Sequence, residues 1–310
     1  MKTSKAQSAV LTVWIMLLIA CTPSEPDTVD PEITIIYPPN NVVVGDSVTM
    51  QVTASDNETI TRIEYYVDDI QDSLADDHTR PFEYTWNPKE ENIPIGTRHK
   101  LYAKAVDEME NEMISDLIFV RYKWMMLTED VDEPFRRDIE KVYIRNTEER
   151  LEFLVQTYED WGAPYDPDRR GVNFAIFLDT DSDTATGLSP STPVTTETTY
   201  LADSLQYAVD GIGPDYLIVV GVEGDGLWKW NPDSSKWGYQ ADLDYLDLKS
   251  STNTTQFGIN YADIGTPAML KVVSCNHSFG ADTTFWDWAP DFGHTEYHKD
   301  DATFIGPSEY

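Results

Sequence analysis

Short segments in which apolar and polar residues alternate recur along this 310-residue chain, with turn-forming residues between them. In one such segment, Val48, Met50, Val52 and Ala54 would all lie on one face of a β-strand. Beyond the amino terminus we find no amphipathic helix of convincing length, because apolar residues do not recur with the helical period. The pattern predicts an all-β protein.

Residues 32–122 predict a first β-sandwich. Short strands separated by turns at this spacing are typical of an immunoglobulin-like fold. The expected strands are Glu32–Tyr37, Ser47–Ala54, Ile60–Asp68, Phe82–Trp86, His99–Asp107 and Met113–Tyr122.

Four motifs in this segment resemble the bacterial immunoglobulin-like domains of cell-surface proteins. They are Ala54-Ser-Asp-Asn57, Ile63-Glu-Tyr-Tyr-Val-Asp68, Pro81-Phe-Glu-Tyr-Thr-Trp86 and Leu101-Tyr-Ala-Lys-Ala-Val-Asp107. The Asp-x-x-Gly-Asn turn of that family reads Asp107-Glu-Met-Glu-Asn111 here, without its glycine. The resemblance implies a spacer or adhesion role. Asp56 and Asp107 could share a cation at one end of this sandwich, or could be solvated loop acids.

Residues 124–310 predict a second, larger β-sandwich that follows the first with no long linker. Segments rich in Gly, Pro, Asp, Ser and Thr separate its expected strands. These strands are Ile139–Arg145, Leu151–Tyr158, Val172–Leu178, Tyr216–Val222, Leu227–Trp230, Phe257–Asn260 and Leu270–Ser274.

The order of motifs in residues 124–310 resembles family 9 carbohydrate-binding modules and DOMON-like domains, which are jelly-roll or related sandwiches. The motifs are Asp138-Ile-Glu-Lys-Val-Tyr-Ile-Arg-Asn146, Arg150-Leu-Glu-Phe-Leu-Val155, Phe177-Leu-Asp-Thr-Asp-Ser-Asp183, Gly213-Pro-Asp-Tyr-Leu-Ile218, Leu227-Trp-Lys-Trp230 and Trp288-Ala-Pro-Asp-Phe-Gly-His294. The resemblance implies a glycan ligand, with calcium as a structural ion, or haem or sugar as in DOMON-like relatives.

The charge of the chain restricts its partners. A formal net charge of -33 would repel phosphate backbones, so we expect no nucleic-acid ligand. The chain has two cysteines, Cys21 and Cys275, and if Cys21 is lipidated no intrachain disulfide can form.

The amino terminus predicts lipid anchoring. A basic start and an apolar segment from Ala9 to Ile19 predict a signal peptide over residues 1–20. Leu18-Ile19-Ala20-Cys21 resembles the bacterial lipobox, which implies a diacylglycerol-modified Cys21 that holds the protein to a lipid membrane. The alternative is an ordinary signal peptide or a single-pass anchor. Residues 21–31 form an acidic, proline-rich tether, and the absence of aspartate at Thr22 points by resemblance to the outer membrane, with surface exposure left open.

Three carboxylates follow the apolar segment Phe174–Leu178 at alternate positions, Asp179, Asp181 and Asp183. Oxygen ligands converging in this way suit calcium, and the expected role is structural. The loop is not an EF-hand, because Thr184 stands at its glycine position and Pro190 at its glutamate position. The alternative is a solvated acidic turn.

The tryptophans are the candidate glycan-binding residues. Trp228 and Trp230 would share one face of a strand, and Trp237 would lie across a turn in a hairpin. Trp161 is a further candidate in a loop. Aromatic faces pack on the C–H surfaces of sugars, but tryptophan also fills sandwich cores, and the sequence leaves both alternatives open.

We find no catalytic constellation and expect a non-catalytic protein. His294 and His298 are spaced as in H-x-x-x-H, but Glu296 is displaced from the position that a zinc protease requires. The sequence thus predicts a lipid-anchored cell-envelope protein with two β-sandwiches, the first a spacer and the second a glycan-binding module. The alternatives are a structural or adhesion protein that contacts other envelope proteins and, more weakly, an enzyme or hydrolase accessory.

Overall fold

The computed structural model describes residues 27–71, 77–130, 139–158, 172–188, 212–220, 225–247, 253–279, 284–289, 295–299 and 303–305. Within these ranges the chain is almost entirely β, and it forms two β-sandwiches in tandem. The predicted fold class is confirmed. One short helix, α1 (Tyr261–Ile264), interrupts the described strands.

The first sandwich is built from two sheets. Its strands are β1 (Glu32–Tyr37), β2 (Val42–Val44), β3 (Val48–Ser55), β4 (Ile60–Val67), β5 (Ile70–Gln71), β6 (Phe82–Trp86), β7 (Arg98–Asp107), β8 (Glu112–Ile114) and β9 (Ile118–Tyr122), joined by the distant β22 (Phe304–Ile305). Among the described residues, one sheet has the strand order β1-β3-β6, and the other has the order β22-β2-β9-β7-β4-β5, with β8 pairing to β7.

The predicted strand Met113–Tyr122 is wrong as a single element, because the structure divides it into β8 and β9. The cause is Ser115, which is buried between them. Its backbone N–H donates to the Ala103 carbonyl at 2.9 Å, and its Oγ accepts from the Ala103 N–H at 3.1 Å. A residue that pairs through its side chain interrupts the regular ladder, and the chain changes partner there.

The second sandwich also has two sheets. The strands are β10 (Met125–Glu129), β11 (Ile139–Asn146), β12 (Arg150–Thr157), β13 (Val172–Asp179), β14 (Tyr216–Val220), β15 (Gly226–Asn231), β16 (Lys236–Ala241), β17 (Asp244–Asp247), β18 (Thr254–Asn260), β19 (Met269–Phe279), β20 (Thr284–Ala289) and β21 (Thr295–His298). In the described part of the chain the two sheets have the orders β10-β11-β12-β18-β17 and β16-β15-β14-β13-β19-β20, with β21 pairing to β19.

Strand β13 is apolar on both faces because both faces are covered. Phe174, Ile176 and Leu178 point into the main core between the two sheets. Ala175 and Phe177 belong to a second apolar cluster on the outer face of the same sheet. This is why the sequence there is continuously apolar rather than alternating.

Strand β2 lies between the two sandwiches and contributes to both cores. Val42 and Val44 pack in the core of the first sandwich, whereas Val43, which is fully buried, packs in the core of the second. The alternation of a β-strand thus places one three-residue element in two cores. The sequence analysis did not predict this strand.

Strand β22 reaches back from the second sandwich and pairs in parallel with β2. The Val43 backbone N–H donates to the Thr303 carbonyl at 2.8 Å. The guanidinium of Arg145 lies between the rings of Trp124 and Phe304, 4.3 Å from each centroid. Backbone pairing and aromatic packing therefore join the two sandwiches directly.

A buried ion-pair network lies beside this junction. The carboxylate of Glu152 is fully buried and accepts from Arg145 Nε and Arg150 Nε, both at 2.7 Å. Because each carboxylate oxygen accepts a hydrogen bond from an arginine, the cost of burying this charge is compensated.

None of the described helices has the length and apolar character needed to cross a bilayer.

Candidate functional site

The acidic loop begins at Asp179, the last residue of β13, and this side chain is fully buried. Its Oδ1 accepts a hydrogen bond from the Ser182 N–H at 2.7 Å, and its Oδ2 accepts one from the Gly213 N–H at 3.2 Å. A carboxylate with a backbone donor on each oxygen can be buried at tolerable cost. Asp179 therefore ties the loop after β13 to the segment that precedes β14.

Two glycines allow these segments to touch. Gly187 has a φ of 65°, and a Cβ built on it would lie 2.3 Å from the Gly213 carbonyl oxygen. A Cβ on Gly213 would lie 2.4 Å from the Thr186 carbonyl oxygen. Because both contacts involve rigid backbone, no larger residue fits at either position. The close approach brings the start of β14 against the acidic loop.

The structure brings Asp179 and Asp181 together with Asp215, and one carboxylate oxygen of each lies within 4.8 Å of the others. Asp215 Oδ2 accepts bonds from the Thr180 N–H at 2.9 Å and the Thr180 hydroxyl at 2.8 Å. Burial raises the pKa of Asp215, the Thr180 bonds oppose this shift, and the charges of Asp181 and Asp179 add to it. Holding three carboxylates at this spacing costs repulsion.

Asp183, the third predicted ligand, does not belong to this group. It is exposed, and its Oδ1 accepts a bond from the Ala185 N–H at 2.9 Å, which stabilises the turn. Asp215 was not among the predicted ligands because it is distant in sequence. The signal that could have found it is strand pairing, since the antiparallel partner of Leu178 is Tyr216 and the residues next to them meet at one end of the sheet.

The donor set suits a hard cation. All three side chains offer carboxylate oxygens, which calcium prefers. Within the described residues, no Lys or Arg forms an ion pair with Asp179, Asp181 or Asp215. What this arrangement can do chemically is to offer several anionic oxygens to one positive charge.

A second carboxylate group, Asp27, Asp56 and Asp107, lies at one end of the first sandwich. Asp107 is fully buried, and its Oδ1 accepts from the N–H groups of Met109 at 2.7 Å and Asn111 at 2.8 Å. Burial favours a higher pKa for Asp107, but its bonds from Asn111 and the neighbouring backbone hold it below the usual value. Asp107 is therefore a structural acceptor rather than a solvated loop acid.

The turn that follows keeps its shape without the family's glycine. Glu110 stands at the glycine position of the Asp-x-x-Gly-Asn pattern and adopts a φ of 66°. The bonds that Asp107 accepts hold the turn closed around this residue. Side chains other than glycine pay a small penalty in the left-handed region, and these bonds offset it.

The predicted tryptophan hairpin is present as β15 and β16. Trp228 pairs with Tyr239, and Trp230 pairs with Trp237, so all four rings lie on the outer face of the sheet. The Trp230 and Trp237 rings meet edge to face with centroids 5.2 Å apart. The Trp228 and Tyr239 rings meet in the same way at 5.4 Å. The hairpin thus carries two cross-strand aromatic pairs that are neighbours along the strands.

The two pairs differ in exposure. Trp230 is 6% exposed and Trp237 is 9% exposed, and both pack in the outer cluster with Phe177 and Leu217. Both rings pack against other side chains, so Trp230 and Trp237 are core residues.

Two other predicted site residues, Cys21 and Trp161, lie outside the described residues.

The outer pair is accessible. Tyr239 is 52% exposed, and Trp228 is partly exposed. The Tyr239 hydroxyl donates to the carboxylate of Asp242, which raises the pKa of Tyr239. Sequence reasoning missed Tyr239, although its position two residues after Trp237 and across from Trp228 would have placed it on this face.

Comparison with solved structures gives distant likenesses. Fibronectin(III)-like modules of Clostridium thermocellum CbhA are 17% identical, with 29% of this chain and 94% of theirs covered and a TM-score of 0.26. An endo-beta-1,4-mannanase from Thermotoga petrophila is 15% identical, with 31% and 20% covered and a TM-score of 0.26. SGBP-B of the Bacteroides ovatus mixed-linkage glucan utilization locus, in complex with a mixed-linkage heptasaccharide, is 9% identical, with 84% and 47% covered and a TM-score of 0.25.

This chain therefore spans less than half the length of the latter two proteins. No curated protein matches the chain. A protein-family comparison does give a match, and it falls on the segment that the sequence motifs had singled out. Residues 31–102, in the first sandwich, match the bacterial Ig domain family.

Proposed function

We propose that this chain is an extracellular, non-catalytic glycan-binding protein. Its second sandwich binds polysaccharide through the outer aromatic pair, Trp228 and Tyr239, and its first sandwich is a spacer. The observation that carries the proposal is the 52% exposure of Tyr239 beside a partly exposed tryptophan. Exposed apolar patches that are bordered by polar residues are typical of binding surfaces.

The geometry of the pair suits a sugar. Since the two rings are nearly perpendicular, at 85°, one ring can contact the apolar face of a pyranose while the other borders it. Asp242 stands at the rim, where its carboxylate can accept hydrogen bonds from sugar hydroxyls in addition to the one from Tyr239. An apolar surface with a polar rim is the usual form of a small-ligand site.

Native gels containing soluble polysaccharides test this function. We expect at least one neutral polysaccharide to retard the wild-type protein and Tyr239→Ala to lose most of that retardation. Tyr158→Ala is the matched control, because Tyr158 is also exposed, at 38%, but directly follows β12 of the opposite sheet. Unretarded migration through every polysaccharide would refute the proposal.

A second candidate role is adhesion to other envelope proteins. It is favoured by β8, an edge strand of the first sandwich on which Met113 and Ile114 are 40% and 54% exposed. Unpaired apolar edges are sites of strand addition. Photocrosslinking from position 114 in cells would capture a protein neighbour if this role holds, and no crosslinked product would exclude this edge.

We also propose calcium as a structural ion held by Asp179, Asp181 and Asp215. The proposal is supported by the all-oxygen donor set and by the repulsion that a cation would remove. A cation bound only to the folded state raises stability by mass action. We expect the melting temperature to fall in excess EDTA and to recover on adding calcium, and an unchanged melt would disprove the site.

Membrane attachment through an acylated Cys21 is a third proposal, supported by the lipobox-like sequence. Acyl chains contribute about 0.8 kcal/mol per buried methylene, so several chains suffice for firm anchoring. Labelled palmitate should enter the wild-type protein in bacterial cells, and Cys21→Ala should leave the membrane fraction. A Cys21→Ala protein that stays in the membrane would rule out this anchor.

A further inference from the structure

The charges around the outer aromatic pair are distributed unevenly between the two faces of the hairpin. Lys229 follows Trp228 in the strand, so it lies on the opposite face, where its Nζ is 5.4 Å from the ring of the core residue Tyr216. Lys236 pairs with Asn231, which is also on that opposite face. Both lysines of the hairpin therefore lie away from Trp228 and Tyr239.

Carboxylates border the aromatic face instead. Asp225 directly precedes β15 and Asp242 directly follows β16, so both stand at the open end of the hairpin. The carboxylate of Asp242 accepts a hydrogen bond from the Tyr239 hydroxyl, and that of Asp225 accepts one from the Tyr245 hydroxyl. Both are close enough to Tyr239 to raise its pKa. Of the described basic residues, none forms an ion pair with Asp242.

We infer that the Trp228 and Tyr239 surface takes uncharged polysaccharides and rejects polyanionic ones, such as polyuronates and sulfated glycans. This inference rests on the proposed glycan-binding function and names the ligand class of the same site. Neutral sugars offer hydroxyls that can donate to Asp242 while their C–H faces lie on the aromatic rings.

A uronate or sulfate group would meet negative charge here. Like charges repel each other more strongly near a protein surface than in bulk water, because the effective dielectric constant is lower there. The repulsion repeats along a polyanion, and the chain's net charge of -33 adds a long-range barrier at low salt. In the described hairpin, Lys229 and Lys236 both lie on the opposite face and do not offset this repulsion.

The test compares neutral gels, containing galactomannan, hydroxyethyl cellulose or soluble starch, with polygalacturonate and alginate gels. We expect at least one neutral polymer to bind the wild-type protein at least tenfold more tightly than either anionic polymer. Tighter or equal binding to polygalacturonate or alginate would overturn the inference and leave the proposed function standing. Binding to neither class would overturn both.

A charge reversal provides a second readout. Asp242→Lys should gain retention by polygalacturonate at about 20 mM salt and lose it at about 500 mM, because close charge attraction is screened by salt. Asp116→Lys is the matched control, since it changes the net charge equally at an exposed position of the first sandwich. Equal retention of the two variants would contradict a local effect at the aromatic face.

Discussion

The position of Asp215 beside the acidic loop depends on the pairing of β13 with β14, two strands that are distant in sequence. The Asp215 N–H donates to the Leu178 carbonyl at 2.9 Å, which places the Asp215 carboxylate beside those of Asp179 and Asp181. The sequence predicted the cluster from spacing alone, and spacing identifies neighbours within a loop. It identified Asp179 and Asp181 but could not supply a partner from the next strand.

The raised pKa of Asp215 predicts a pH effect in metal-free protein. Because the folded pKa lies above the ordinary value of 3.8, ionisation costs more in the folded state. The favourable contribution of Asp215 to the free energy of unfolding is therefore fully present below pH 3.8. It is lost as the pH rises through the raised folded pKa of Asp215. Asp215→Asn lacks this loss, so in EDTA the variant should gain stability relative to wild type across that window.

Thermal melts at several pH values measure this difference. In excess calcium the order should reverse, because asparagine is a weaker calcium ligand than carboxylate. An equal gain in stability in EDTA and in calcium would count against the metal, and no gain in EDTA would count against the repulsion.

At the scale of the element, the β15–β16 hairpin carries one buried aromatic pair and one accessible aromatic pair. The sequence predicted the hairpin and its shared aromatic face, and both are confirmed. It could not assign which rings are buried, because burial depends on what covers the outer face of the sheet. Trp230 and Trp237 are covered by the outer cluster, whereas the rings of Trp228 and Tyr239 are still partly accessible.

Substitutions in the two aromatic pairs should therefore differ in their effect on the free energy of unfolding. Trp237→Ala removes a buried ring and should lower the free energy of unfolding by about 3–5 kcal/mol. Tyr239→Ala removes an exposed ring and should change it by no more than about 1 kcal/mol. Urea denaturation of both variants checks this, and similar losses in the two would contradict the division.

At the scale of the whole molecule, the two sandwiches share structure across their predicted boundary. The sequence indicated that the domains abut, because it shows no long linker. It did not indicate that β22 pairs with β2, since a strand of two residues carries too little pattern. Val43 was missed for the same reason, as a three-residue strand has no readable period.

This junction predicts coupled unfolding. Phe304 packs against Arg145 and the second core while its strand extends the first sandwich's sheet. Phe304→Ala should cost about 2 kcal/mol, less than the 3–5 kcal/mol of a fully buried ring, and should split one calorimetric transition into two. Ile70→Ala, at the other edge of that sheet and 71% exposed, is the control. An unchanged single transition in Phe304→Ala would refute the coupling.

If a glycan lies on the outer aromatic pair, the indole of Trp228 is in direct contact with the sugar. Nuclear magnetic resonance of the indole N–H groups tests this contact, with Trp228→Phe used to assign the Trp228 signal. On titration with a neutral oligosaccharide cut from the polysaccharide that retards the protein, we expect the Trp228 signal to shift and the signals of the buried Trp230 and Trp237 to move far less. Shifts confined to other tryptophans, or a Trp228 signal that stays unmoved at saturation, would contradict it.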